Sequence, residues 1–146
     1  MNILDTNGVS HILTSSLVLQ DDYFLAPDVV EEVEMTQLVH GRRIPGKVLQ
    51  INSIDLFDEA IYLEYYKATL NKYGGRSFYN MTGFGDVSII ATLHMLMDVF
   101  ERQKQMQLFD NSERVVVYTG DSKLTTKIQS EFAGKDVVVS PVTDIS

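Results

Sequence analysis

Short apolar runs alternate with helix-length amphipathic stretches along this chain, nearly from end to end. That alternation limits the fold more than any other feature, because strands separated by helices pair in parallel and need both faces of the sheet covered. The clearest strand is Val115 to Tyr118, a β-branched run. Asn2 to Leu4, Tyr23 to Ala26, Val48 to Ile54 and Val137 to Val139 read as four more strands. Helices are expected over Val9 to Leu19 with Asn7 or Thr6 as cap, Asp28 to Val39 after Pro27, Leu56 to Asn71, a stretch opened by Asp86, and Asp121 to Phe132. Gly74-Gly75 is read as the stop of the third helix, with Leu56, Ala60, Leu63 and Leu70 on its apolar face and Arg76 to Phe84 as a loop beyond it. Ile89, Ile90, Leu93 and Met97 fall at core spacing in the fourth, and Gly134 ends the fifth. The expected fold is α/β, three-layer α/β/α with a mostly parallel central sheet. No repeat or linker divides the 146 residues, so 1–146 is read as one domain.

With no cysteine, the chain has no disulfide framework, thiolate zinc site or cysteine nucleophile. Asp5 interrupts any signal-peptide pattern, and the apolar run Val87 to Phe100 holds His94 and Asp98 and is too short to span a bilayer. A cytoplasmic protein without a membrane partner is therefore expected. The formal charge of −8 argues against a polyanion partner, since phosphate binding rests on Lys and Arg. A site that gathers carboxylates to hold cations is an exception, because the bound ions reverse the local field.

Ligands of open α/β sheets bind beyond the carboxyl ends of the strands. Asp5 directly follows the first strand and Asp121 follows Val115 to Gly120. Asp86 opens a helix, and Glu32 lies in the first turns after the second strand. Singly, each has an ordinary explanation. Asp caps helices, and Glu32 sits in a run with Glu31 and Glu34 of the kind that usually makes a solvated face. Jointly they are oxygen donors without His or Cys companions, which suits Mg²⁺ or Mn²⁺ and a water-mediated attack on a phosphodiester.

Four segments, in order, resemble the motifs of the PIN-domain family of metal-dependent ribonucleases, which includes the toxins of many toxin–antitoxin pairs. They are Ile3-Leu4-Asp5-Thr6-Asn7, Ala26 to Val33, Gly85 to Ala91 and Tyr118 to Leu124. The resemblance implies that Asp5, Glu32, Asp86 and Asp121 are the catalytic metal ligands, with Glu31 the neighbouring alternative to Glu32. It implies supporting roles for Asn7, Thr119 and Ser122, whose ordinary roles would be turn and cap hydrogen bonds. It further implies an RNA substrate, an antitoxin partner and a homodimer. Arg42, Arg43 and Lys47 form a basic loop that suits RNA phosphates, with Lys72 and Arg76 behind them, although a solvated loop is the commoner case. His94 is read as a core or partner-facing residue, His11 and His40 show no partner pattern, and Tyr62, Tyr65 and Tyr66 read as a packing cluster. A haloacid-dehalogenase-type phosphatase would need an acid where Asn7 stands, and a receiver domain would need an acid pair after the first strand. The reading of a different class is a non-catalytic PIN-like module that binds RNA or protein.

Overall fold

A computed structural model describes residues 1–78, 84–106 and 113–146, without the side chains of 35–40 and 74–78. Five strands, β1 (Asn2–Leu4), β2 (Tyr23–Leu25), β3 (Val48–Gln50), β4 (Val115–Tyr118) and β5 (Val137–Ser140), form one sheet in the order β3-β2-β1-β4-β5. Every pairing is parallel. The helices are α1 (Thr6–Ser15), α2 (Pro27–His40), α3 (Glu59–Phe78), α4 (Gly85–Gln105) and α5 (Ser122–Glu131). They flank the sheet in three layers, with α1 packed on α2 and α3 on α4. The α/β fold with a parallel sheet is thus as expected from the alternation. No described helix is long and apolar enough to cross a membrane.

The core follows from burial on both sheet faces. Ile3, Leu4, Val115 and Val117 have no exposed surface, and neither do Ile89, Ile90 and Leu93 of α4. Helix α4 lies so deep that residues 85–93 are all buried. That depth brings its first turn, with Asp86, into the protein rather than onto its surface.

Several expectations need correction. Helix α1 starts at Thr6 and is capped by Asp5, whose carboxylate accepts from the Thr6 amide, so neither Asn7 nor Thr6 is the cap. It ends at Ser15 rather than Leu19, because Ser16 turns left-handed. Strand β3 stops at Gln50, and Ile51–Ser53 form a 3₁₀ turn. Helix α3 starts at Glu59 and runs through Gly74-Gly75 to Phe78. Two helical glycines cost about 1 kcal/mol each relative to alanine, too little to break a helix supported along its length by a neighbour. The buried face of α3 is Ile61, Tyr62 and Thr69, while Ala60 and Leu63 are exposed. The tyrosines carry that face because their hydroxyls find partners on α2 and α4. Helix α5 ends near Gly134 as expected, with that glycine at a φ of 77°. The remainder of the expected loop, 79–83, and the side chains of His40 and Arg76 lie outside the described residues.

Candidate metal centre

Strands β1 and β4 lie side by side, and the chain leaves them in opposite directions, from β1 toward β2 and from β4 toward β5. The helices that follow diverge, and a crevice opens beyond the strand ends at such a switch point. Asp5 follows β1 and Thr119 to Asp121 follow β4, so both segments border this crevice.

Hydrogen bonds lock the two segments together. The Asp5 amide donates to the Tyr118 carbonyl at 3.1 Å. Asp5 Oδ1 accepts from the Thr6 amide at 2.7 Å, and Oδ2 accepts from the Thr119 hydroxyl at 2.8 Å. The same hydroxyl accepts from the Asp121 amide at 3.0 Å. Asn7 is exposed, and its Oδ1 accepts from the Gly120 amide at 3.0 Å. Asp121 caps α5, with Oδ1 accepting from the amides of Lys123 at 2.8 Å and Leu124 at 3.1 Å. Capping and metal binding are compatible, because a carboxylate has two oxygens and about four lone-pair sites. Ser122 is exposed in the first turn of α5.

Glu32 reaches the same crevice from α2. Its Oε2 accepts from the Thr6 hydroxyl, and its Oε1 accepts from the Gly85 amide at 3.3 Å. One side chain thereby joins the first residues of α1 and α4. Glu31 and Glu34 are exposed, so Glu32 is the member of the acidic run that turns inward. Asp86 completes the set from the first turn of α4, where it is 8% exposed and its Oδ2 is buried without a hydrogen-bond partner.

The four acids act on one another. Burial, then the charges of Asp5, Asp121 and Glu32, push the Asp86 carboxyl up to about 7, with Lys127 opposing. Burial is also the largest influence on Asp5, which is raised against the hydrogen bonds from Thr119 and Thr6, with Asp121 adding to the rise. Glu32 is raised by burial first and then by Asp5 and Asp28, against the bonds from Thr6 and Gly85. Among the described residues, no group of three or more acids and histidines stands in an arrangement that would hold an ion. The chemistry of the donors nonetheless fits a hard cation. All are carboxylate oxygens, and the Asp86 oxygen is buried, unpartnered and surrounded by like charge.

The basic loop does not join this site. It links the end of α2 to the start of β3, and the Lys47 carbonyl accepts from the Tyr23 amide where β2 begins. That is the amino edge of the sheet, opposite the carboxylates. Arg42 donates to the Leu13 carbonyl at 2.6 Å and to the Ser16 hydroxyl at 3.2 Å, closing the end of α1. Lys47 lies 3.9 Å from Asp22, and Arg43 is exposed. These three residues therefore lie away from the four acids, at the opposite edge of the sheet.

The sequence reading missed Thr6, Gly85 and Lys127, together with two polar networks. In the first, Ser88 accepts from the Asp28 amide at 3.0 Å and lies 2.7 Å from the Tyr62 hydroxyl, while Tyr66 donates to Asp28 Oδ2 at 2.5 Å. Burial pushes the Tyr62 hydroxyl up to about 12, so it stays a donor. In the second, the Glu131 carboxylate, 5% exposed, takes Lys72 at 2.8 Å, the Tyr73 hydroxyl at 2.5 Å and His94 Nε2 at 2.6 Å. His94 also stacks on Tyr65 with ring centroids 4.8 Å apart. His94 is thus held by neighbouring side chains while a quarter of it stays exposed, and Lys72, itself exposed, pairs with Glu131 from the surface. In the sequence, Thr6 and Gly85 stood out only as motif neighbours of Asp5 and Asp86, and Thr6 also as a cap candidate.

No protein-family model matches this chain, and neither a curated protein nor a solved structure was found to match it.

Proposed function

We propose that this chain is a divalent-metal-dependent endoribonuclease acting in the cytoplasm, with Asp5, Glu32, Asp86 and Asp121 as the metal-holding acids. The resemblance to the PIN-domain family supports the order and identity of the four residues. The observation that carries the reading is Asp86, a nearly buried acid with an unpartnered oxygen and three other carboxylates acting on it. Such an arrangement destabilises the folded chain, and a perturbed acid in a crevice at a sheet switch point has the character of a functional site.

Bound Mg²⁺ or Mn²⁺ would polarise the phosphodiester and activate water as nucleophile. The chain's own residues orient the acids. Thr119 and the Thr6 amide fix both Asp5 oxygens, the Gly85 amide and the Thr6 hydroxyl fix Glu32, and the α5 amides fix one Asp121 oxygen. Asp86 must lose its proton before it can ligate an ion. No side chain in the crevice is needed as a nucleophile. The toxin role implied by the resemblance adds a small antitoxin that covers the crevice, and a homodimer.

The test is cleavage of single-stranded and structured RNA in Mn²⁺ or in EDTA, beside Asp5→Asn. Metal-dependent cleavage lost in the variant is expected. Cleavage that persists in EDTA or in Asp5→Asn rules the mechanism out. Absence of cleavage and of metal binding favours the non-catalytic module, a reading motivated by the lack of an arranged ligand group among the described residues.

A further inference from the structure

Helix α3 carries none of the four acids, yet its tyrosines reach both helices that bring Glu32 and Asp86 to the crevice. The Tyr62 hydroxyl lies 2.7 Å from Ser88 Oγ on α4, and the Tyr66 hydroxyl donates to Asp28 Oδ2 on α2 at 2.5 Å. The two tyrosines are about one turn apart on α3, with ring centroids 5.8 Å from each other, and Phe57 packs on Tyr62 at 5.2 Å. Tyr62 is buried and Ser88 has no exposed surface.

Ser88 closes the arrangement. Its oxygen accepts from the Asp28 amide at 3.0 Å. That amide stands in the first turn of α2, where no intrahelical acceptor exists, so a side chain of α4 satisfies it. Both contact points lie near the acids. Asp28 is about one turn before Glu32, and Ser88 is in the same first turns of α4 as Asp86. The helix starts are so close that the Gly85 amide of α4 donates to Glu32 Oε1 at 3.3 Å. Glu32 and Asp86, on adjoining helix starts, repel when both are ionised, which drives α2 and α4 apart. A buried hydrogen-bonded network across both helices resists that and fixes one spacing.

We propose that Tyr62 and Tyr66 are positioning residues of the metal centre, bracing α2 and α4 so that Glu32 and Asp86 face one cation at a fixed spacing. This rests on the metal-centre reading above, but not on RNA as the substrate. A purely structural role for the tyrosines makes a different prediction. Their loss then lowers stability and leaves the cation affinity of the folded chain unchanged.

The experiment compares the whole chain with Tyr62→Phe, Tyr66→Phe and Tyr65→Phe, each of which removes a hydroxyl and keeps the ring. Tyr65 is the control, because its hydroxyl donates to Asp98 at 3.1 Å, about three turns further along α4 than Asp86. Ser88→Ala breaks the Tyr62 contact from the other side and serves if Tyr62→Phe does not fold. Mn²⁺ affinity is read by calorimetry well below each melting temperature, with and without Glu32→Gln. The expected result is affinity about tenfold weaker in Tyr62→Phe and Tyr66→Phe and unchanged in Tyr65→Phe, with a smaller loss when either is combined with Glu32→Gln. Wild-type affinity in either variant overturns the proposal and leaves the metal centre standing. An equal loss in Tyr65→Phe overturns it as well. Mn²⁺ binding that depends on Tyr62 and Tyr66 in a chain that cuts no RNA supports it and removes the nuclease reading alone. A wild-type chain that binds no Mn²⁺ overturns both the brace and the metal centre.

Discussion

The carboxylate of Glu32 occupies the space that a side chain on Gly85 would fill. A Cβ on Gly85 would stand 2.8 Å from Oε1 and 2.9 Å from Oε2 of Glu32, well inside van der Waals contact. The Gly85 amide also donates to Oε1, so the glycine both admits and anchors the acid.

Gly85→Ala should therefore separate stability from activity. Gly85 is the first residue of α4, where alanine gains little of the about 1 kcal/mol it gains in a helix interior, and the obstructing atoms are the far end of a flexible side chain that two hydrogen bonds hold in place. The expected outcome is a melting temperature unchanged or lowered by only a few degrees, with Mn²⁺-dependent RNA cleavage at least about tenfold lower as Glu32 is pushed from its place. Thermal melts and initial rates check both halves. Full activity would show that Glu32 is not needed where it stands.

The pH dependence of stability has a definite sign. Asp86 is raised from 3.8 to about 7, and Asp5 and Glu32 shift in the same direction. Between those limits the folded chain binds more protons than the unfolded one, so its stability falls as pH rises. The contribution is fully present below about pH 4 and is lost on passing through pH 7. Each tenfold change in proton affinity is worth about 1.4 kcal/mol, so the Asp86 contribution is on the order of 4 kcal/mol. Asp86→Asn should be more stable than wild type at pH 8 and should flatten the profile. Urea unfolding from pH 4.5 to 8 in EDTA measures this, and a wild-type profile that rises across that range contradicts it.

Thr119 holds two parts of the crevice with one hydroxyl, and it is 4% exposed. Thr119→Val keeps the shape but strips the donor to Asp5 and the acceptor for the Asp121 amide. A loss of about 1–3 kcal/mol follows from leaving buried polar groups unpaired. Asp5 should also become harder to ionise, since the Thr119 bond favours its charged form. Denaturant melts and the pH profile of cleavage read the two effects. A Val variant with wild-type stability would mean that water replaces the hydroxyl.

Where a residue's role is local, the chain announces it. The β-branched run 115–118 is β4 at both bounds, and Asp5 and Asp121 stand at strand ends because their strands are legible. Glu32 was separable from Glu31 in principle, since it is one helical turn after Asp28, on the face that α2 turns inward. Asp5 was read as a strand-end acid with capping as its ordinary explanation, and its carboxylate does both, with Oδ1 on the Thr6 amide and Oδ2 on the Thr119 hydroxyl. What escaped is non-local. The Glu131 network draws Lys72, Tyr73 and His94 from two other helices, and no spacing within one element reveals it. The place of the basic loop could not be read, because clustering in sequence says nothing about which edge of the sheet a loop occupies. Gly74-Gly75 misled because propensity counts for little where a helix has a partner along its length.

Metal and proton should compete for Asp86, and that competition tests the centre without any RNA. An ion binds the ionised carboxylate, while burial and the three neighbouring acids favour the protonated one. Mn²⁺ affinity should accordingly rise with pH up to about 7 and level off above it. At pH 6 binding should release close to one proton, and at pH 8.5 far less. Calorimetry in two buffers of different ionisation enthalpy counts the protons. Stability should follow affinity, since an ion at 100 times its dissociation constant stabilises the folded chain by about 2.7 kcal/mol. The melting shift with Mn²⁺ should be larger at pH 8 than at pH 6, and Asp86→Asn should abolish that difference because an amide does not titrate. A wild-type chain whose melting temperature ignores Mn²⁺ at both pH values would remove the metal centre, whatever its four acids suggest.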